Sequence, residues 1–151
     1  GGQHISQLNP NGTAGNQFSE GAWGIMPADK AVVFLENHDT QRDAGIGYRN
    51  GDVYRLANVW MLAQPYGYPS IMSSYAFDRG SQGGRDMGPP SDAAGATNSV
   101  TCASSLETAV IGQWVCEHRD LSIARMVSFR RVVAGTEVTR WWDDGADASE
   151  F

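Results

Sequence analysis

Long apolar segments and clusters of basic residues are both missing from this sequence. The 151 residues include 11 Lys or Arg against 17 Asp or Glu, which gives a net charge of −6. Because the basic residues form no run, nucleic acid is not an expected partner. No apolar stretch approaches the roughly 20 residues of a membrane-spanning helix, so we expect no membrane partner either.

A signal peptide and an initiator Met are also missing. The first residues, 1–4, lack the charged start and the apolar core of a secretory leader. We therefore expect a mature chain, an engineered chain or a piece of a longer protein. The length suits one domain of ordinary size, and the 18 glycines predict long irregular loops, because glycine is the usual residue in tight turns.

Cysteine is scarce, with Cys102 and Cys116 the two in the chain. Without a paired His at ligand spacing they make a poor zinc site, and we expect no metal there. They either form one disulfide or remain two buried thiols. Because a polar stretch lies between them, we expect the disulfide and an oxidising compartment. In the chain-entropy model such a bridge contributes about 3 kcal/mol.

Two stretches, 1–22 and 76–115, are predicted to be irregular. The first is rich in Gly, Asn, Gln and Ser without any period. Its sequence 11–13, Asn-Gly-Thr, matches a glycosylation sequon, although the turn that Asn-Gly typically forms is the favoured interpretation. The second is long enough to be a functional loop, and its middle, 99–111, is compatible with either a hairpin or a short helix.

A strand, a helix and a second strand are predicted between residues 31 and 75. The apolar run that opens 31–37 predicts a strand buried on both faces. Asp52 is the predicted N-cap of a helix, which Pro65 stops. Residues 69–75 predict the second strand, and the crossover is long enough for a parallel βαβ unit. The apolar stripe expected on the helix consists of Val53, Leu56, Ala57, Trp60 and Met61.

The C-terminal third predicts a second helix and an edge strand. The helix is expected over 118–134, with Gly135 at its C-terminal stop, and the strand with its turn over 138–145. The apolar face of the helix is expected to include Ile123, Met126, Val127 and Val133, with Phe129 beside it. The order of elements is typical of an α/β fold, either a barrel or a doubly wound sheet.

Polar and ionisable side chains follow the first predicted strand directly. They are Glu36, Asn37, His38, Asp39 and Arg42. Burying them would be costly, so we expect the strand to present them at its carboxyl end, where ligands bind in α/β folds.

Three interpretations of His38 and Asp39 remain open from the residues alone. A metal pair would need a third ligand and two side chains on one side of a strand, where neighbours alternate. A structural network could cap the strand. An active site would use the carboxylate to accept, and the imidazole to donate, hydrogen bonds from a hydroxyl-rich substrate.

The segment 34–42, Phe-Leu-Glu-Asn-His-Asp-Thr-Gln-Arg, closely resembles the last conserved region of the α-amylase family of retaining glycoside hydrolases. The resemblance extends in the order of the family over roughly 120 residues, and the subgroup is similar to animal-type amylases and their bacterial relatives. Further matching segments are 23–27, 61–67, 71–75, 88–90, 114–119, 126–130 and 141–145.

This resemblance implies the last units of a (β/α)₈ TIM barrel, strands seven and eight with their helices. Residues 1–137 would be the partial catalytic barrel and 138–151 the start of a C-terminal β domain. The implied reaction is hydrolysis of internal α-1,4 bonds in starch or glycogen with retention. Asp39 would be the third catalytic carboxylate, a transition-state stabiliser, and His38 would bind the same sugar.

The resemblance also bears on ions. Animal-type amylases often bind chloride through an Asn and two Arg. Asn37 matches the Asn, but Ala76 stands where one Arg is expected, which argues against chloride unless Arg79 substitutes. The calcium ligands implied by the family lie upstream of the matching region. Asp120 replaces the usual aromatic residue after Glu-His-Arg, which should alter packing at the start of the second helix.

The nucleophile and the general acid of the family lie on earlier strands, outside the region that this chain resembles. Glu20, Glu36 and Glu107 could supply carboxylates, but none lies in a matching motif. The sequence therefore predicts a piece of a secreted and monomeric α-amylase that acts on starch or maltooligosaccharides. The alternatives are a non-catalytic carbohydrate-binding or inactive fragment, and an unrelated small α/β hydrolase.

Overall fold

Two α-helices and one parallel pair of strands make up the regular structure in the described part of the chain. The computed structural model describes residues 5–9, 24–42, 45–78 and 88–142. The helices are α1 (Asp52–Ala63) and α2 (Leu121–Val132), and the strands are β1 (Val32–Val33) and β2 (Tyr68–Pro69). Short 3₁₀ helices lie between them, at Ile5–Leu8, Ala28–Lys30, Thr40–Arg42, Tyr48–Asn50, Leu106–Thr108 and Glu117–Arg119.

The chain divides into two compact units. One comprises 1–32, 64–68 and 133–151, and the other comprises 33–63 and 69–132. In the first unit the Tyr66 hydroxyl donates a hydrogen bond to the carbonyl oxygen of Met26 (2.7 Å). The second unit contains both helices, the disulfide and the candidate site.

β1 and β2 are paired in parallel. The amide of Tyr68 donates to the carbonyl of Ala31 (2.7 Å), and the amide of Ser70 donates to the carbonyl of Val33 (2.8 Å). The partners advance in the same direction along both strands, as in a parallel ladder. Because α1 connects the two strands in sequence, the predicted order of strand, helix and parallel strand is confirmed. The prediction of a second strand over 69–75 is wrong beyond its first residue, because β2 covers Tyr68 and Pro69 and the rest contains only an isolated bridge at Tyr75.

The first strand is shorter and more exposed than the sequence predicted. The ladder covers Val32 and Val33, and not 31–37. Val32 is 61% exposed and Phe34 is 47% exposed, so the prediction of a strand buried on both faces is wrong for this structure. A strand of that kind needs neighbours on both edges and both faces, whereas β1 pairs with β2 alone in the described residues.

α1 ends where Pro65 was expected to stop it, but of the expected apolar stripe only Met61 is buried. Asp52 is the first helical residue and not the cap. The expected apolar positions Val53 and Leu56 are exposed. The buried face consists of Tyr54, Asn58, Met61 and Leu62. Asn58 is tolerated there because its amide donates to the Tyr54 carbonyl (3.0 Å).

α2 begins after a 3₁₀ turn and is capped by Asp120. The Asp120 carboxylate accepts hydrogen bonds from the amide (3.0 Å) and the hydroxyl of Ser122, which satisfies a free donor of the first turn. Ile123 is fully buried, but Val127 and Phe129 are exposed, so the expected apolar face is only partly packed. Gly135 has φ +79° just beyond the helix, consistent with a glycine stop.

The core of the second unit lies between the two helices and the segment that precedes α2. Its buried residues are Tyr48, Tyr54, Leu62, Leu106, Val115 and Ile123.

The stretch 88–115 forms no hairpin strands or α-helix. It contains a 3₁₀ turn at Leu106–Thr108 and isolated bridges. Trp114 pairs with Tyr75 on one side and with Cys102 on the other, and the Cys102–Cys116 disulfide closes the segment. The predicted disulfide is therefore present in the structure.

Several predictions fall outside the described residues. They concern Glu20, Arg79, the sequon at 11–13 and the end of the proposed edge strand. Its described part, 138–142, contains no strand. In the described residues, no helix is long and apolar enough to cross a membrane.

Candidate active site at the end of the first strand

A tight turn fixes the backbone where the polar cluster begins. The side-chain oxygen of Asn37 accepts hydrogen bonds from the amides of Asp39 and Thr40, both at 2.9 Å. The amide of Asn37 in turn donates to the Thr40 hydroxyl oxygen (2.8 Å). Asn is a favoured residue for such local side-chain turns. The turn therefore holds the backbone at His38 and Asp39 in one conformation.

His38 and Asp39 project from this turn into solvent. Their side chains are 71% and 73% exposed, and His38 Nε2 lies 3.5 Å from Asp39 Oδ1. The structure therefore places the two side chains next to each other on the exposed side of the turn. That they bind one ligand stays a prediction.

Arg42 attaches the turn to the segment that follows β2. Its guanidinium donates to the carbonyl oxygen of His38 and to the hydroxyl of Tyr75, the latter at 3.1 Å. Tyr75 is buried and its ring packs edge-on against Trp114, with centroids 5.6 Å apart. The exposed pair is therefore carried by a turn that is anchored in the core of the second unit.

Glu36 does not join this exposed group. Its side chain is only 3% exposed, so the prediction that the strand end presents it to a ligand is wrong. It lies in the same buried region as Glu117, which is fully buried. Sequence reasoning missed this pair because each glutamate stands in a different segment. One feature of the sequence could have indicated their burial. Glu36 directly follows Leu35, and Glu117 directly follows Cys116, and both preceding residues are apolar.

Glu107 is committed to an ion pair. Its carboxylate contacts the guanidinium of Arg55, which also binds Asp120 (2.8 Å) and Asp52 (2.9 Å). The Arg55 hydrogen bond lowers the pKa of Glu107 to about 2. An acid held ionised in this way is a poor proton donor near neutral pH.

A cleft of about 760 Å³ opens in the same unit. The Arg49 guanidinium lies over the rings of Tyr48 (4.6 Å) and Phe77 (4.3 Å), so these ring faces are covered and offer no stacking platform for a sugar. The cleft is lined by Tyr48, Arg49, Gly51, Ala76, Phe77, Leu106, Glu107, Ala109, Val110 and Ile111.

Known proteins resemble this chain in both sequence and structure. No protein-family profile matches it. Over 139 aligned residues, which cover 85% of the chain, it is 42% identical to human α-amylase 1B and 40% identical to mouse pancreatic α-amylase 2a5. The crystal structure of wild-type α-amylase I from Eisenia fetida matches 85% of the chain with a TM-score of 0.71 and 34% identity. The chain is homologous to the α-amylases of animals.

The chain spans about a quarter of the length of these α-amylases, 27% of the human and mouse proteins and 26% of the Eisenia fetida chain. A mutant of the Eisenia fetida α-amylase in complex with maltohexaose also matches, over 93% of this chain, with a TM-score of 0.70 and 35% identity. The resemblance to α-amylases seen in the motifs is thus confirmed.

The resemblance to α-amylases implied a chloride site at Asn37, whose side-chain oxygen accepts from two backbone amides. Ala76, at the position of an expected Arg, is buried, and a methyl group cannot hold an anion. Arg79 lies outside the described residues, so its substitution for the missing Arg stays a prediction.

No three or more His, Cys, Asp or Glu side chains in the described residues form a group that could hold a metal ion. The calcium ligands implied by the α-amylase resemblance were expected outside this chain, and that expectation stays a prediction.

Proposed function

We propose that this chain is the part of an α-amylase that contributes strands seven and eight, with their helices, to a (β/α)₈ barrel. The parallel pairing of β1 and β2 across α1 is the repeating unit of such a barrel. Residues 1–137 would belong to the barrel and 138–151 to a following β domain. The disulfide supports an oxidising, extracellular location.

The observation that carries the function is the exposed pair of His38 and Asp39 at the carboxyl end of β1. In barrels of this type, chemistry takes place at the carboxyl ends of the strands. The α-amylase with bound maltohexaose, which this chain resembles, supports a maltooligosaccharide or starch as the ligand.

Asp39 would act as the third carboxylate of a retaining glycosidase. Its carboxylate would accept hydrogen bonds from sugar hydroxyls and favour the positive charge that develops on the sugar in the transition state. His38 would donate to a hydroxyl of the same sugar. Neither residue would be the nucleophile or the general acid.

The nucleophile and the acid would come from residues other than those described. Of the three glutamates considered from sequence, Glu36 is buried and Glu107 is bound to Arg55, while Glu20 lies outside the described residues. This favours an enzyme whose complete site needs additional chain. It also supports the second candidate, that the 151 residues alone bind sugar without hydrolysing it.

A chimaera separates these possibilities. The matching quarter of mouse pancreatic α-amylase is replaced by this chain, and hydrolysis of soluble starch is compared with that of the 151-residue chain alone. We expect turnover from the chimaera and none from the chain. Asp39→Asn should lower kcat of the chimaera by roughly 10²–10³-fold, the usual effect of removing one stabilising group.

The matched control is Asp29→Asn, which changes another exposed aspartate and should leave turnover unchanged. A folded chimaera with no activity, or full activity after Asp39→Asn, would overturn the assignment. Turnover by the 151-residue chain that disappears in Asp39→Asn would show instead that the site is self-contained.

A further inference from the structure

Two buried carboxyl groups act on each other in the core of the second unit. Glu36 is 3% exposed and Glu117 is fully buried. A buried carboxylate is costly unless a cation or several hydrogen-bond donors compensate its charge. The pair therefore needs a source of compensation.

Glu117 has part of that compensation. The backbone amide of Ser74 donates to both of its oxygens, at 3.0 and 2.9 Å. Glu36 has less. Its neighbouring polar side chains are Tyr54, Ser74 and Glu117, but neither of its oxygens has a donor in good hydrogen-bond geometry among the described residues. Gly47 packs directly against it, and a Cβ there would collide with the Glu36 carboxyl.

Among the described residues, the groups that act most strongly on the two carboxyls include no cation. α1 contributes the Tyr54 hydroxyl, the segment after β2 contributes Ser74, and the 3₁₀ helix before α2 contributes Glu117 itself. The backbone of Tyr48 also faces Glu36. Arg55, the cation at the start of α1, binds other carboxylates. A proton held between the two glutamates would offset part of their charge.

We propose that Glu36 and Glu117 share one proton, and that this buried acid pair is a positioning device for the turn that carries Asp39. Like-charged carboxyls in contact commonly hold one proton between them, since both cannot ionise together. One glutamate then donates a hydrogen bond to the other, and that bond joins the end of β1 to the segment before α2.

The location of the pair explains how it acts on the candidate site. Glu36 lies three residues before Asp39 in the chain. On the other side of the turn, Arg42 binds the Tyr75 hydroxyl, and Tyr75 directly follows Ser74, which binds Glu117. The turn is thus held at both ends by the same short segment, once through the acid pair and once through Arg42.

The electrostatics of the cluster agree with a shared proton. Burial raises the pKa of Glu117 to about 7, although the Ser74 hydrogen bonds oppose it and the charge of Glu36 adds to it. Burial also raises the pKa of Glu36. For Tyr54, burial and the two carboxylates raise the pKa, so its hydroxyl stays a hydrogen-bond donor.

The sign of the pH effect follows from linkage. In the unfolded chain a glutamate loses its proton near 4.5, whereas the folded pair keeps one proton until about 7. The folded state binds more protons between these two values, so the free energy of unfolding is highest below them and falls as the pH rises from one to the other. Across the whole difference in pKa, the unfolding equilibrium constant rises roughly 300-fold.

The test compares urea unfolding at about pH 5 and about pH 8 in the wild-type protein, Glu36→Gln, Glu117→Gln and the control Glu137→Gln, which alters an exposed glutamate. In either single variant of the pair the amide can donate the hydrogen bond that the proton supplied. We therefore expect the loss of stability on raising the pH in the wild type and the control, and a much smaller loss in both variants of the pair.

If the two glutamates were buried without sharing a proton, each single variant should still lose stability as the pH rises, because the remaining glutamate still ionises. That result would overturn the shared proton. A wild-type protein whose stability does not fall as the pH rises would also overturn it. Infrared spectroscopy at about pH 6 gives a second measurement: the band of a protonated buried carboxyl should be present in the wild type and absent from each variant.

The positioning role rests on the proposed function, so it is tested separately by maltohexaose binding. We expect wild-type affinity to fall at least tenfold between the lower and the higher pH, and that of Glu36→Gln to change much less. Equal wild-type affinity at both pH values would overturn positioning. Absence of binding at every pH, with the stability pattern intact, would count against the proposed sugar site and leave the acid pair standing.

Discussion

Breaking the disulfide between Cys102 and Cys116 should lower the free energy of unfolding by about 3 kcal/mol. The bridge joins residues 14 positions apart, and in the chain-entropy model a loop of about this size restricts the unfolded chain by that amount. Small domains have total stabilities of only about 5–15 kcal/mol. The bridge would therefore supply a substantial share of the stability of this chain.

Contacts within the segment closed by the disulfide limit the stability that is lost when the bridge is broken. The amide of Ala103 donates to the Trp114 carbonyl (2.8 Å), and the amide of Trp114 donates to the Thr101 carbonyl (2.9 Å). Leu106 is buried in the core. These contacts form without the sulfur–sulfur bond, so we expect the reduced protein to keep its fold and to unfold at lower urea concentration.

The assay is equilibrium urea unfolding of the oxidised protein, the reduced protein and the double variant Cys102→Ser with Cys116→Ser. The free energy of unfolding of the double variant should match that of the reduced protein within about 1 kcal/mol, because a serine hydroxyl in place of a thiol changes stability by about that amount when it finds a hydrogen-bond partner. It should also be insensitive to reductant, which separates the bridge from other effects of the reagent. Equal midpoints for the oxidised and reduced forms would refute the reasoning, because the segment would then be held by its non-covalent contacts alone.

Two substitutions test the packing around this segment. Arg55→Met should lower stability by about 1–2 kcal/mol in urea unfolding, because the charged hydrogen bond to Asp120 is lost from a partly hydrated site. The deficit should shrink at high salt, and a loss of equal size at all salt concentrations would contradict an ionic origin. Ile123→Ala should cost about 2–4 kcal/mol through loss of a fully buried side chain, whereas Val132→Ala on the exposed side of α2 should change stability by less than about 0.5 kcal/mol. Similar losses for the two would contradict the core assigned here.

Local signals predicted those elements that short-range chemistry determines. Pro65 ends α1 because proline cannot continue a helix, and Gly135 has the positive φ that favours glycine. The disulfide was expected because two cysteines flank one polar segment. The parallel pairing of β1 with β2 followed from the length of the crossover between them.

Predictions that depended on distant neighbours were less accurate. The apolar stripe of α1 was assigned to positions that include Val53 and Leu56, but the core packs against Tyr54 and Leu62. Both faces carry residues at helical spacing, and periodicity alone does not identify which face meets a partner. Glu36 was expected at the surface because a lone buried acid is costly. Its neighbour Glu117, 81 positions along the chain, could not be foreseen from spacing.

The exposed apolar residues now have a physical interpretation. Val32 on β1, Phe34 just after it, and Val53 and Leu56 on α1 are each about half exposed or more, although the sequence places them in an apolar run or stripe. The chain spans about a quarter of its α-amylase relatives. In the proposed barrel, neighbouring strands would cover β1 and neighbouring helices would cover the outer face of α1. In that arrangement the apolar pattern would match the barrel and not the contacts of this chain by itself, whereas Glu36 and Glu117 act on each other within the chain.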